Sequence, residues 1–230
     1  MASKYPIGRS LLAVLLFILA YGIGLMPCLA LQVFIINPLL FNPSLLNLLI
    51  SSLLLLLNFV LFIFSELVVS SFFIRAFGLV STDGVAKVSL QDSKFYRFVL
   101  FQALYNPVSM ILYFLHIYTV KEWHLRLLGA SIGQNVTLGG RIDDPSLFKV
   151  GDGSVIAGMC EVLTHSAEGD KLIFKKVKIG SKCTIGQGSI ILPGAVMKDE
   201  SVLGSMSLLP KSKVIPKGEV WGGVPAERIK

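Results

Sequence analysis

The chain has 230 residues, 53% of them hydrophobic and only 15% charged, with a mean hydropathy of +0.73. That much apolar surface excludes a purely soluble domain of this size and predicts membrane insertion. The net charge of +7 is spread out: residues 1–130 carry eight Lys/Arg and four Asp/Glu, and residues 131–230 carry thirteen and ten, so no block of like charge suggests a nucleic-acid arm.

Lys4 and Arg9 precede Leu11–Leu31, a run of 21 uncharged residues. At the helical rise this run is roughly 31 Å long, enough to cross a bilayer. A cleaved signal peptide is the competing reading, but the run is long for one and a second follows directly. Asn37–Ser44 holds two Asn-Pro steps and reads as a hairpin loop. Leu45–Phe73 is the second span. Its one charge, Glu66, falls near the far interface, where Arg75 is a possible partner. Both ends of the hairpin are basic and its loop is neutral, which puts both ends in the cytosol.

Gly78–Lys94 reads as a polar linker with little helix. Phe95–Val120 is apolar again but interrupted by Arg97, Asn106-Pro107 and His116. Pro107 predicts two short helices lying in the membrane interface, with Tyr105, Tyr113 and Tyr118 at headgroup level and His116 and His124 anchoring. A third, kinked span is the alternative. The expected organisation is a transmembrane helical hairpin over 1–76, linker and interfacial helices over 77–130, and a third unit over 131–230.

That third unit repeats every six residues. Ile179, Ile185, Ile191, Met197, Leu203, Leu209, Ile215 and Trp221 stand at equal steps, and mostly small residues follow each by four: Cys183, Ser189, Ala195, Ser201 and Ser207. Gly180, Gly186 and Gly204 come directly after their aliphatics, where a tight turn wants no Cβ. Upstream, Ile132, Leu138, Val150, Ile156 and Val162 are in step, and Asp144 takes the one off-pattern slot, so Asp143-Asp144-Pro145 reads as a bulge or turn. Between Val162 and Ile179 the phase slips by one residue, and Ala167–Lys176 forms a polar, basic excursion. A period of six fits neither helix nor long strand and is the signature of a hexapeptide parallel β-helix. Three hexads make one coil, so about five coils fit. The three cysteines, Cys28, Cys160 and Cys183, have no zinc spacing, and their odd count argues against a disulfide framework.

The repeat, the excursion and the ending Trp221-Gly222-Gly223-Val224-Pro225-Ala226 resemble the left-handed β-helix (hexapeptide-repeat) acyltransferases. The run Leu163-Thr164-His165-Ser166, Glu168-Gly169-Asp170 and Val177-Lys178-Ile179-Gly180 is similar to a narrower group, the membrane-associated terminal domain of nonribosomal peptide synthetases of the polylysine-synthetase kind. No adenylation or carrier domain is present, so peptide synthesis does not carry over. The resemblance implies a homotrimer using acyl-CoA, most simply acetyl-CoA, without a metal. It also implies a histidine general base, which falls on His165, the one histidine of residues 131–230. Glu161 and Glu168 are the candidates to orient its ring. Lys211, Lys213 and Lys217 are candidates for the CoA phosphates, and Gly204, Ser205, Gly223 and Pro225 for backbone contacts to the pantetheine arm. Val224 stands where the family usually has Asn, which leaves the turn but not a side-chain contact. The β-helix carbonic anhydrases, a related family, need three histidines around a metal, and this unit has one.

The function expected is a membrane-anchored, CoA-dependent acyltransferase working on the cytosolic face, with a hydroxyl or amine of a membrane-associated acceptor as nucleophile. A non-catalytic trimeric β-helix scaffold, or an accessory domain of a membrane biosynthetic complex, is the alternative.

Overall fold

The computed structural model describes residues 7–229. Helix α1 (Ile7–Leu31) runs through a π-helical stretch, Gln32–Ile36, into α2 (Asn37–Phe41). The expected loop at Asn37–Ser44 is therefore mostly helix, and the chain turns within residues 42–44. The π-turn explains why the first Asn-Pro step does not break the helix. Asn37 N–H donates to Gln32 O, one residue further back than in an α-helix, so the extra residue gives the Pro38 ring room. Ser44 then caps α3 (Leu45–Ala76) by accepting from Asn47 N–H.

Among the described residues, Ile7–Phe41 and Leu45–Ala76 are the helices long and apolar enough to cross a bilayer. They pack together where Gly24 gives Glu66 room: a Cβ at Gly24 would lie 2.5 Å from its carboxyl. Glu66 is buried there without a hydrogen-bond partner. The expected Arg75 pairing is absent, because Arg75 donates instead to Leu127 O at 2.8 Å. Arg9 at the start of α1 likewise bonds Leu90 O. The open end of the hairpin is thus tied to the linker and to the end of the helix Tyr118–Leu127.

Helix α4 spans Ser93–Phe114 without a break at Pro107. Proline removes one backbone bond, and burial of Leu104, Tyr105, Val108 and Leu112 on both sides of it holds the helix together. The expected pair of short interfacial helices is corrected accordingly. Tyr105 is not at a surface: it is 1% exposed, and its hydroxyl donates to Ile142 O at 2.6 Å. Helix α5 (Tyr118–Leu127) lies over the first coil. Its Lys121 is buried and Nζ donates to Leu138 O (2.9 Å) and to Gly140 O, filling acceptors that the end of a β-helix would leave open. His124 is buried against the Tyr105 ring and does not anchor anything at a surface.

From Ser131 the chain winds as a three-sided parallel β-helix. One face stacks five strands, Ser131–Ile132, Phe148–Val150, Val177–Ile179, Val196–Met197 and Val214–Ile215. The repeat aliphatics point inward: Ile156, Ile185 and Leu203 of the second face are 0% exposed, and so are Ile191 and Leu209 of the third. Each such burial contributes roughly 1.5–3 kcal/mol. Cys160, Cys183, Ser189, Ala195 and Ser201 fill the corners, all buried.

Of the three glycines after the aliphatics, Gly204 has room for a Cβ, and the other two have a different reason from the one expected. Gly180 and Gly186 do not adopt positive φ; a Cβ there would lie 2.6 Å from Asp199 N or 2.3 Å from Ser205 N of the next coil. The left-handed residues come two positions later: Lys182, Gly188, Gly194, Glu200, Met206, Ser212 and Gly218, again in steps of six.

The first coil departs from the repeat. Arg141–Ile142 pairs with Glu161–Val162, so Ile142 occupies the inward slot, and Asp144 does not. Gly139 and Gly140 permit the early corner, since a Cβ on either would lie 2.7–2.8 Å from backbone of the coil above. The turn Pro145–Leu147 then restores the phase.

Candidate active site

The excursion is an antiparallel hairpin that begins at His165 itself, pairing His165–Glu168 with Lys171–Phe174. Lys175 N–H donates to Thr164 O and closes it at its base. The linker supplies a third strand: Gly84–Lys87 pairs with Lys171–Phe174. His165 therefore stands where the column, the hairpin and the helical half meet.

His165 Nδ1–H donates to Asp144 Oδ2 at 2.7 Å. Asp144 is 0% exposed, and its carboxylate also accepts from Thr164 Oγ1 (2.7 Å, on Oδ2) and Ser81 Oγ (2.7 Å, on Oδ1). Thr164 Oγ1 in turn accepts the Asp144 N–H at 3.1 Å. A buried carboxylate with three donors is a fixed acceptor, so it sets the imidazole tautomer with the proton on Nδ1 and the lone pair on Nε2. Phe98 packs edge-on against the ring, 4.7 Å between centroids, and Phe174 lies 6.0 Å away. Burial lowers the His165 pKa, but the hydrogen bond to Asp144 and the charges of Asp144 and Asp143 outweigh it, so the net shift is upward.

The ring lines a cleft of about 320 Å³ with Arg141, Asp143, Phe98, Gln102 and Asn106. The last three lie four residues apart and so form one stripe of α4 facing the column. Burial pushes the Asp143 carboxyl up to about 6, against the opposing pull of Arg141 and His165. Among the described residues no protein group bonds His165 Nε2. The arrangement is that of a positioned base beside an open, polar space.

Neither glutamate expected to orient the ring does so. Glu161 is 3.3 Å from Arg141 on the outer side of the column, and Glu168 pairs with Lys211 at 2.6 Å near the hairpin tip. Glu161 is held by Arg141 at the edge of the same cleft, and Glu168 is three residues along the hairpin. Asp144 takes their place. The signal for it was present, since an aspartate at a core-like position of a repeat must find buried donors.

The candidate coenzyme residues are dispersed over the later coils. Lys213 Nζ lies 5.0 Å from the Trp221 ring, and Lys217 is 3.4 Å from Glu200. Gly204 O accepts from Ser189 Oγ at 2.7 Å, Ser205 lies in the following turn, Gly223 has φ +99°, and Pro225 follows a cis peptide bond. Lys217 also lines an open cleft of about 410 Å³ with Lys149, Lys178 and Lys198, three lysines that the repeat did not single out. Lys149 and Lys178 are direct partners on adjacent strands.

No family model matches the chain, and no curated protein matches it. Solved structures similar to it include a maltose O-acetyltransferase from Clostridium difficile 630, at 25% identity and a TM-score of 0.38 over 49% of this chain and 75% of that one. A hexapeptide-repeat acetyltransferase complexed with acetyl coenzyme A, from Vibrio cholerae O1 biovar eltor, is 17% identical with a TM-score of 0.42, covering 49% and 76%. Soybean serine acetyltransferase complexed with serine is 17% identical with a TM-score of 0.43, covering 74% of this chain and 56% of that one.

Proposed function

We propose that the protein is a membrane-anchored, CoA-dependent acyltransferase with His165 as general base and Asp144 as the residue that positions it. The observation that carries this reading is the buried Asp144 carboxylate 2.7 Å from Nδ1 of a histidine that lines a polar cleft. His165 Nε2 takes the proton of the acceptor hydroxyl or amine as that atom bonds to the thioester carbonyl carbon. Collapse of the adduct breaks the C–S bond, and the imidazolium returns the proton to the leaving thiolate. The products are acylated acceptor and free CoA.

The donor's phosphates are assigned to the lysine cleft of Lys149, Lys178, Lys198 and Lys217, with Lys211 and Lys213 beside the later coils. Gly204, Ser205, Gly223 and Pro225 are assigned to the pantetheine arm. The assembly is a homotrimer. Anchoring is supported by the bare apolar faces of the two long helices, where Phe34 is 77% and Leu56 68% exposed, a surface that lipid chains cover and water does not. The basic ends of the hairpin favour a β-helix on the cytosolic face.

The test is a series of acyl-CoA esters added to the detergent-extracted protein while the thermal midpoint is followed. A ligand that binds only the folded state raises the midpoint. One ester raising it, with CoA released in the presence of membrane lipid, is the expected result; no shift with any ester contradicts the reading.

A further inference from the structure

Three spaces adjoin around the first turns of α4, and they change from apolar to polar in order. Between α1, the end of α3 and α4 lies a crevice of about 430 Å³, walled by Leu12, Leu15, Leu16, Leu19, Phe77 and Leu100, with Tyr96 and Arg97 also lining it. A hollow of about 160 Å³ with a mixed lining shares Leu79 and Arg97 with the crevice and adds Val80, Ser81, Thr82, Ser93, Lys94 and Phe174. Phe98 lines that hollow and also the His165 cleft. Successive helical residues turn by about 100°, so Tyr96, Arg97 and Phe98 face the three spaces in sequence.

Cations outnumber acids at the junction, where Asp92 at the start of α4 acts on Lys94. Arg97 bonds the carbonyl of Gly78, and Lys94 Nζ bonds the carbonyl of Asp83 at 2.8 Å. Among the described residues neither has a carboxylate within ion-pair distance. Arg9 adds a third cation, 5.2 Å from the Tyr96 ring centroid. Arg9 and Arg97, unpaired by carboxylates and beside an apolar crevice that opens between bilayer-length helices, complement an anionic lipid. The Ser81 hydroxyl that lines the hollow also bonds Asp144, which places the hollow directly behind the His165 pair.

We propose that the acyl acceptor is an anionic membrane lipid whose headgroup carries a phosphate and a free hydroxyl. Its chain lies in the apolar crevice, its phosphate is held by Arg97 and Lys94, and the headgroup hydroxyl beyond the phosphate passes Phe98 into the cleft that His165 lines. The assignment rests on the acyltransferase reading of His165, and its test does not need turnover. The full chain is placed in phosphatidylcholine nanodiscs doped with phosphatidylglycerol that carries a photoreactive diazirine in its chain; phosphatidylcholine with the same diazirine is the control.

The expected result is labelling of Leu12–Leu19 and Leu100 at least fivefold stronger with the anionic probe. Arg97→Gln and, separately, Lys94→Gln should reduce that preference, and His165→Ala should leave it intact. Equal labelling by both probes, or none at those residues, overturns the proposal even if acyl transfer to a water-soluble acceptor persists. Preferential labelling in a protein that transfers no acyl group from any acyl-CoA overturns the acyltransferase reading, and with it the lipid's role as acceptor.

Discussion

Asp144 reaches His165 from 21 residues earlier in the chain and one coil away, with Oδ2 2.7 Å from Nδ1. The contact exists because the first coil turns its corner early at Gly139-Gly140, which moves Asp144 beside Thr164 and out of the slot that Ile142 fills. A deviation from the repeat thus makes the pair.

The pair sets a pH dependence. In the proposed role His165 works only when neutral, and the net effect of its surroundings raises its pKa above the usual value of about 6.5. The rate should therefore climb with pH through a midpoint above that value. Asp144→Asn removes the charge and the fixed acceptor, so the midpoint should fall while kcat also drops. A pH–rate profile unmoved by Asp144→Asn would separate the two residues functionally.

His124, whose pKa is shifted the opposite way, gives a stability prediction. Burial lowers its pKa to about 4, and its Nε2 has no partner. Between about 6.5 and 4 the unfolded chain binds a proton that the folded chain does not, so stability falls as pH falls, by up to about 1.4 kcal/mol per pH unit from this group. His124→Phe should flatten that acid limb in thermal unfolding; an unchanged difference curve would count against the burial argument.

Much of the architecture was legible because a six-residue period has few structural solutions. The inward slots from Ile179 to Trp221 follow the period in register, and the excursion stands out by its polarity. What was not legible is where local rules meet tertiary contacts. Pro107 sits inside a continuous helix because packing on both sides outweighs one lost bond. The Gly180 requirement comes from a neighbouring coil, which no local turn rule describes. His165 was legible as the lone histidine by the excursion. Its partners were not, because Ser81, Phe98 and Asp144 lie on three separate segments that only the folded chain brings together.

Topology is open to a labelling experiment. The three native cysteines are buried, so background reaction should be low. Pro43→Cys in the hairpin loop should react with an impermeant thiol reagent in intact cells, and Glu227→Cys should react only after lysis. The reverse pattern would place the β-helix outside.

Assembly is checked by light scattering corrected for detergent. Each chain is 25.1 kDa, and a mass of three chains is expected. A monomer would remove any donor site shared between subunits while leaving the His165–Asp144 pair whole within one chain.

The most direct measurement is acyl transfer by His165→Ala. Loss of a positioned base costs about 10²–10⁴-fold in rate. The account predicts a fall of that size, with acyl-CoA affinity and chain association close to those of the parent protein. Undiminished transfer in that variant would contradict the account and leave the β-helix as a scaffold.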